Sequence, residues 1–186
     1  MANSESRLGR RYLIDTHIID AADAASERLW ELHDGGWIQL CRSDAMDTEL
    51  LDRADERHRE LLLNRSAEIV EVLGVGVVGH SRVGHMVVGS DEESKDWDEL
   101  WELMWPNADR SSTSRTNRTR IRDAMHVLTA ARYAYDGFVT KDRGVLAASS
   151  AVRARFGLWV VSPFDLLPHL ERLIGRWDQR RFEDDR

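Results

Sequence analysis

One cysteine, Cys41, stands among the 186 residues. It excludes an internal disulfide and gives no sign of an oxidising compartment. Long apolar runs are missing as well. The longest, over residues 72–79, falls far short of the ~20 residues that span a bilayer. The opening stretch, MANSESRLGRR, lacks the apolar core of a signal peptide. Positive charge is outnumbered by negative. The formal net charge is −7, so no global basic field advertises a nucleic-acid partner. Several catalytic signatures are absent too: no serine sits in a nucleophile elbow, no H-E-x-x-H occurs, and there is no phosphate loop of the G-x-x-x-x-G-K-S/T type. What remains is one soluble domain with a sizeable core, expected in the cytoplasm and away from membranes.

The most informative stretch present is RIRDAMHVLTAARYAYDGFVTKD, residues 120–142. Ile121, Ala124, Met125, Leu128, Ala131 and Tyr135 recur at three- and four-residue steps, which predicts a helix. Gly137 after Asp136 suits the helix stop. Phe138, Val139 and Thr140 favour a strand. A strand that follows a helix this closely suits a parallel sheet with helices on its faces. Such sheets bind ligands at the carboxyl ends of their strands. Asp123, at the expected helix start, and Asp142, just past the strand, then face one place. Two carboxylates sharing a site repel unless a proton or a cation separates them.

The remaining chain supplies more acids. Tyr12, Leu13 and Ile14 form a short strand that ends at Asp15. Ile18, Ala22, Ala25, Leu29 and Leu32 mark one amphipathic helix, closed by Gly35 and Gly36. Residues 37–41 read as a second strand. Ser43 and Asp44 suit the start of a helix that buries Met46, Leu50, Ala54, Leu61 and Leu62 and carries Glu49 beside that stripe. Residues 69–73 read as a third strand. A literal G-x-G-x-x-G follows between Gly74 and Gly79, a dinucleotide-binding signal only when it joins a strand to a helix. The valine-rich residues after it read better as strands or a hairpin. A capping box from Ser90 to Glu93 opens a helix with Trp97, Trp101 and Trp105 on one side, stopped by Pro106. Core packing is the plainer role for that stripe; a dimer interface or a base-stacking platform is the sharper one. Arg110, Arg115, Arg118, Arg120 and Arg122 fall within thirteen residues that hold no acid, across a loop expected over residues 106–119 and the helix start. A cationic loop of this kind can touch phosphates. Residues 144–150 suit a short helix, 158–161 a last strand and 163–174 a last helix, with a frayed tail from Arg176.

Asp15, Asp123 and Asp142 thus share a positional logic, and Glu49 is a fourth acid, with Asp44 and Asp47 as its rivals. Clustered carboxylates suit a hard cation such as Mg²⁺ or Mn²⁺. Such ions can activate water and steady the charge on a phosphodiester. Each acid also has a plainer role. Asp123 would favour a helix N-terminus, Asp142 would form a turn, and Glu49 would pair with Arg53 on the surface. His126 shares Asp123's side of the helix and reads as a structural hydrogen-bonding residue. His17 has no assignable chemistry.

Five segments occur in order: YLIDTHII from Tyr12, S-x5-E-L from Ser43, RDAMHVLTAARY from Arg122, GFVTKDRGVL from Gly137 and LWVVSP from Leu158. In that order and spacing the chain resembles a PIN domain, the fold of many metal-dependent ribonucleases. The likeness covers most of the chain outside residues 74–119. It implies an α/β fold, a three-layer α/β/α sandwich around a parallel sheet. The domain would span residues 10–174, with an elaboration at 74–119 and loose termini at 1–9 and 175–186. The resemblance makes Asp15, Glu49, Asp123 and Asp142 the catalytic, metal-holding acids, with Thr16 and Thr140 as supporting hydroxyls. Family members often add one more acid after the last; this chain has Arg143 and Gly144 there.

The implied activity is a Mg²⁺- or Mn²⁺-dependent endoribonuclease acting on single-stranded RNA. Arg110, Arg115, Arg118, Arg120, Arg122, Lys141 and Arg143 would offset the acids' repulsion of phosphate. Toxins of toxin–antitoxin pairs occur in the family, so an antitoxin and a second copy of the chain are candidate partners beside RNA. The residues between Glu49 and Asp123 make this chain longer than those compact toxins. An alternative is a catalytically weak or inactive RNA-binding or protein-interaction module on the same fold. A third is a dinucleotide-binding protein that uses Gly74 to Gly79.

Overall fold

A computed structural model describes residues 6–75, 86–87 and 91–184. The chain runs through β1 (Arg11–Ile14), α1 (Thr16–Ile19), α2 (Ala24–Asp34), β2 (Gln39–Ser43), α3 (Asp44–Leu51), α4 (Glu56–Ser66) and β3 (Val70–Val72). A short parallel pair follows, β4 (Gly74–Val75) and β5 (Met86–Val87). Then come α5 (Asp91–Met104), α6 (Arg115–Arg132), β6 (Gly137–Val139), α7 (Arg143–Ala147), α8 (Ser149–Phe156), β7 (Trp159–Val161) and α9 (Pro163–Asp184). Five strands form one parallel sheet in the order β3-β2-β1-β6-β7.

Strands buried on both faces send alternate side chains into two cores. Tyr12, Ile14, Leu40, Val139 and Val161 point to one face, where they meet Ile18, Leu29, Met46, Leu62 and Leu166 from α1, α2, α3, α4 and α9. Leu13, Cys41, Phe138 and Val160 point to the other, where Leu100, Val127, Val145 and Val152 come from α5, α6, α7 and α8. The architecture is therefore the expected three-layer α/β/α sandwich. Chain order runs outward from β1 through β2 to β3, then returns to the other side of β1 for β6 and β7. The switch lies between β1 and β6, and a crevice opens at the carboxyl ends of such a pair. Ile14 pairs with Val139 in register, which sets Asp15 beside Thr140 at that crevice.

Helix boundaries differ from the sequence expectations. The helix expected after Asp15 is two helices, because Asp23 caps α2 by accepting from Ser26 N at 3.1 Å. The helix after β2 also breaks, since Asp55 caps α4 by accepting from His58 N at 3.1 Å. Leu61 is consequently 62% exposed and Ala54 is exposed, leaving Leu62 as the buried residue. The central helix starts at Arg115 rather than near Arg120. Ser114 Oγ accepts from Asn117 N at 3.2 Å, and the buried Asn117 amide donates to Ser112 O at 2.7 Å and Arg110 O at 3.2 Å. Asp123 therefore lies two turns inside α6, beyond reach of the terminal dipole.

Gly137 does not stop α6. Ala134 takes the left-handed backbone there, at φ 49°, and Gly137 is the first residue of β6. A Cβ on Gly137 would stand 2.8 Å from the Trp159 carbonyl oxygen, a backbone atom that cannot turn aside. Gly137→Ala is thus expected to cost about 1–3 kcal/mol, read as a lower urea midpoint; an unchanged midpoint would contradict this packing. The tail from Arg176 is not frayed, because α9 continues to Asp184 and Trp177 meets Trp37 edge-on with ring centroids 5.3 Å apart. Arg7 and Leu8 are also tied down, by amide bonds to the carbonyls of Gly36 and Trp37. Trp101 is buried, with Trp97 and Trp105 packed beside the same core, as the core-packing role requires. The glycine pattern beyond Val75 and the capping-box serine, Ser90, lie outside the described residues. No helix among the described residues is long and apolar enough to cross a membrane.

Candidate metal centre

Asp15 leaves the end of β1 and is 2% exposed. Its amide donates to Val139 O at 3.0 Å, so the ladder to β6 extends to this residue and fixes its position. Thr140 Oγ1 donates to Asp15 Oδ2 at 2.6 Å and accepts from Asp142 N at 3.0 Å. One hydroxyl therefore links the first acid to the backbone of the last. His17 Nδ1 lies 3.0 Å from Asp15 Oδ2. Burial alone would raise the Asp15 carboxyl, but the bond and charge of His17, with His126 and Thr140, hold it below the ordinary value. His17 is pushed up to about 9 by the same contact.

Glu49 approaches from α3, where Thr16 Oγ1 donates to Glu49 Oε2. Its sequence rivals are committed elsewhere. Asp44 accepts from Gly74 N at 3.1 Å, and Asp47 pairs with the buried Arg42 at 2.5 Å. Arg53, the surface partner considered for Glu49, binds Asp20 at 2.6 Å instead. Asp142 caps α7, its Oδ1 accepting from Val145 N at 3.0 Å.

Asp123 reaches the site from the middle of α6, and it is buried. Burial and then the charges of Asp15, Glu49 and Asp142 push its carboxyl well above the ordinary range, against a smaller pull from Arg122. All four predicted acids are thus electrostatic neighbours. The donor atoms that come together among the described residues include a histidine, however. Atoms of Asp15, Glu49 and His126 lie within 4.8 Å of one another. His126 is fully buried one turn after Asp123. Burial lowers its pKa, but the charges of Glu49, Asp15 and Asp44 outweigh that and raise it. The sequence offered one signal for His126, its three-residue spacing from Asp123, which a purely structural histidine shares.

No known protein-family model matches this chain, and no curated protein does. The chemistry of the site therefore rests on its own geometry. Beside the acids opens a cleft of about 1000 Å³ that Glu49, His17, Arg53, Arg115, Arg118 and Arg122 help to line. The predicted cationic residues divide around it. Arg115 and Arg118 face the cleft from the first turns of α6. Arg122 also lines it but is paired with Asp52. Arg110 is turned away, bound to Asp98 and Glu102 of α5 and placed over the Trp101 ring. Lys141 pairs with Asp23, and neither Arg120 nor Arg143 lines the cleft.

Proposed function

We propose that this chain is a divalent-metal-dependent endoribonuclease of the PIN type, cutting single-stranded RNA at internal phosphodiester bonds. One observation carries the reading. Four carboxylates from separate segments are electrostatic neighbours, and burial together with the charges of Asp15, Glu49 and Asp142 pushes the Asp123 carboxyl well above the ordinary range. A bound cation relieves the repulsion within such a cluster. The oxygen-rich donor set suits Mg²⁺ or Mn²⁺. Asp15, Glu49 and Asp123 would hold the ion, and Asp142 would join them directly or through water.

When bound, the ion supplies an activated water and a counter-charge for the phosphodiester in the transition state. The chain's own residues do the rest. Thr140 and Thr16 hold Asp15 and Glu49 in place by hydrogen bonds. Arg115 and Arg118 attract RNA phosphates into the cleft, offsetting the repulsion of the acids.

Cleavage of a labelled single-stranded RNA tests the reaction. Cutting is expected with Mn²⁺ or Mg²⁺ and none with EDTA. Binding that persists with no cleavage in any metal would favour a non-catalytic RNA-binding module. The double variant Arg115→Ala/Arg118→Ala is expected to raise KM about tenfold at low salt with kcat nearly unchanged. An unchanged KM would remove the cleft from RNA binding.

A further inference from the structure

His126 holds the least explained polar atom of the site. Its ring is fully buried and stacked on Phe138, with centroids 5.9 Å apart and planes 15° from parallel. Nδ1 lies 2.8 Å from Ser43 Oγ. Ser43 ends β2 at the N-cap of α3, yet its hydroxyl makes no cap bond and meets the imidazole instead. Nε2 is buried with no hydrogen-bond partner among the described residues. It points into the acids, 3.8 Å from Glu49 Oε2.

We propose that His126 is a nitrogen ligand of the metal centre, which makes it a mixed imidazole–carboxylate site that prefers Mn²⁺ to Mg²⁺. The inference rests on the metal-centre reading above and deepens it. In the tautomer whose Nδ1–H donates to Ser43 Oγ, the Nε2 lone pair is free to bind an ion. Ligating histidines are commonly oriented in this way, through a bond to the other ring nitrogen. The 3.8 Å separation from Glu49 is too long for a hydrogen bond. It does suit two ligands of one ion. Donor atoms each ~2.1 Å from a shared cation stand roughly 3–4 Å apart, depending on the angle between them.

Ligand type then decides the metal. Mg²⁺ prefers oxygen donors and sheds water reluctantly. Mn²⁺ shares the oxygen preference of Mg²⁺ but, as a first-row transition ion, also accepts a nitrogen donor, with the weakest affinity of that series. His17 is the competing histidine, but it is not in the set of donor atoms that lie within 4.8 Å of one another, and its side chain is 56% exposed.

Pulsed electron paramagnetic resonance of Mn²⁺-loaded protein tests the assignment independently of activity. A nitrogen coupling is expected in the unsubstituted protein, changed by ¹⁵N-histidine labelling. It should vanish in His126→Gln and persist in His17→Gln. Binding titrations should give Mn²⁺ a clear preference over Mg²⁺, reduced about tenfold by His126→Gln. Ser43→Ala covers the case in which His126→Gln does not fold. It should weaken Mn²⁺ binding about tenfold and leave Mg²⁺ binding nearly unchanged. Bound Mn²⁺ without nitrogen coupling, coupling that survives His126→Gln, or an unaffected Ser43→Ala would each overturn the proposal. Failure of Mn²⁺ and Mg²⁺ alike to bind would overturn the metal centre itself.

Discussion

Asp123→Asn is expected to melt higher than the unsubstituted protein without metal, and to lose its response to Mn²⁺ or Mg²⁺. Both effects come from one crowded carboxyl. Burial, then the charges of Asp15, Glu49 and Asp142, push the Asp123 carboxyl well above the ordinary carboxylate range. In the unfolded chain it ionises near the ordinary value. Its contribution to stability is therefore full below that pH and is lost as pH rises through the raised folded value. Asparagine does not ionise, so the loss at neutral pH disappears. Metal has the opposite dependence on this residue. At 100 times its Kd a ligand stabilises by about 2.7 kcal/mol, roughly 5–11 °C in a domain of this size. That shift should appear in the unsubstituted protein and be largely absent in Asp123→Asn. A variant that melts no higher without metal and keeps the full metal shift would place Asp123 outside the site. Thermal melts with metal and with EDTA make both readings.

Arg42→Ala is expected to be among the most destabilising single changes outside the apolar core. Arg42 extends from β2 and is 8% exposed. It binds Asp47 of α3 at 2.5 Å and Glu71 of β3 at 2.9 Å. It thereby fastens the helix that carries Glu49 to the sheet. Removing the cation from a buried ion-pair network costs about 3–5 kcal/mol. The exposed pair Arg28–Glu31 provides the contrast. There Arg28→Ala should cost under about 1 kcal/mol, because solvent screens the charges. Urea melts of the two variants test the difference. Equal losses would mean that the Arg42 network behaves as surface charge.

β1, β6 and β7 were legible from sequence because they are short apolar runs that end at acids or hydroxyls. Asp15 and Thr140 follow such runs, and the β1–β6 register brings them together. Helix limits were less legible. Asp23, Asp55 and Ser114 each cap a helix, but each lies in a polar stretch with several equally plausible caps. That ambiguity hid the two extra turns of α6 and misplaced Asp123 at the helix start. The fate of the arginines depends on tertiary contacts. Arg110 is taken by Asp98 and Glu102 of another helix, which periodicity along one segment does not reveal. His126 was underrated for a similar reason. Its chemistry comes from Ser43, 83 positions earlier in the chain, which holds Nδ1 and leaves Nε2 facing the acids.

The most direct measurement is cleavage of a circular single-stranded RNA by the unsubstituted protein and by Asp123→Asn, purified side by side. A circle has no ends, so its opening requires an internal cut. Opening is expected in Mn²⁺ or Mg²⁺, none in EDTA, and a rate at least ~100-fold lower in the variant, since even residues behind the direct ligands commonly contribute 10–100-fold. Equal opening by both proteins, or an intact circle in every metal, would contradict the assignment of this site as a metal-dependent endoribonuclease.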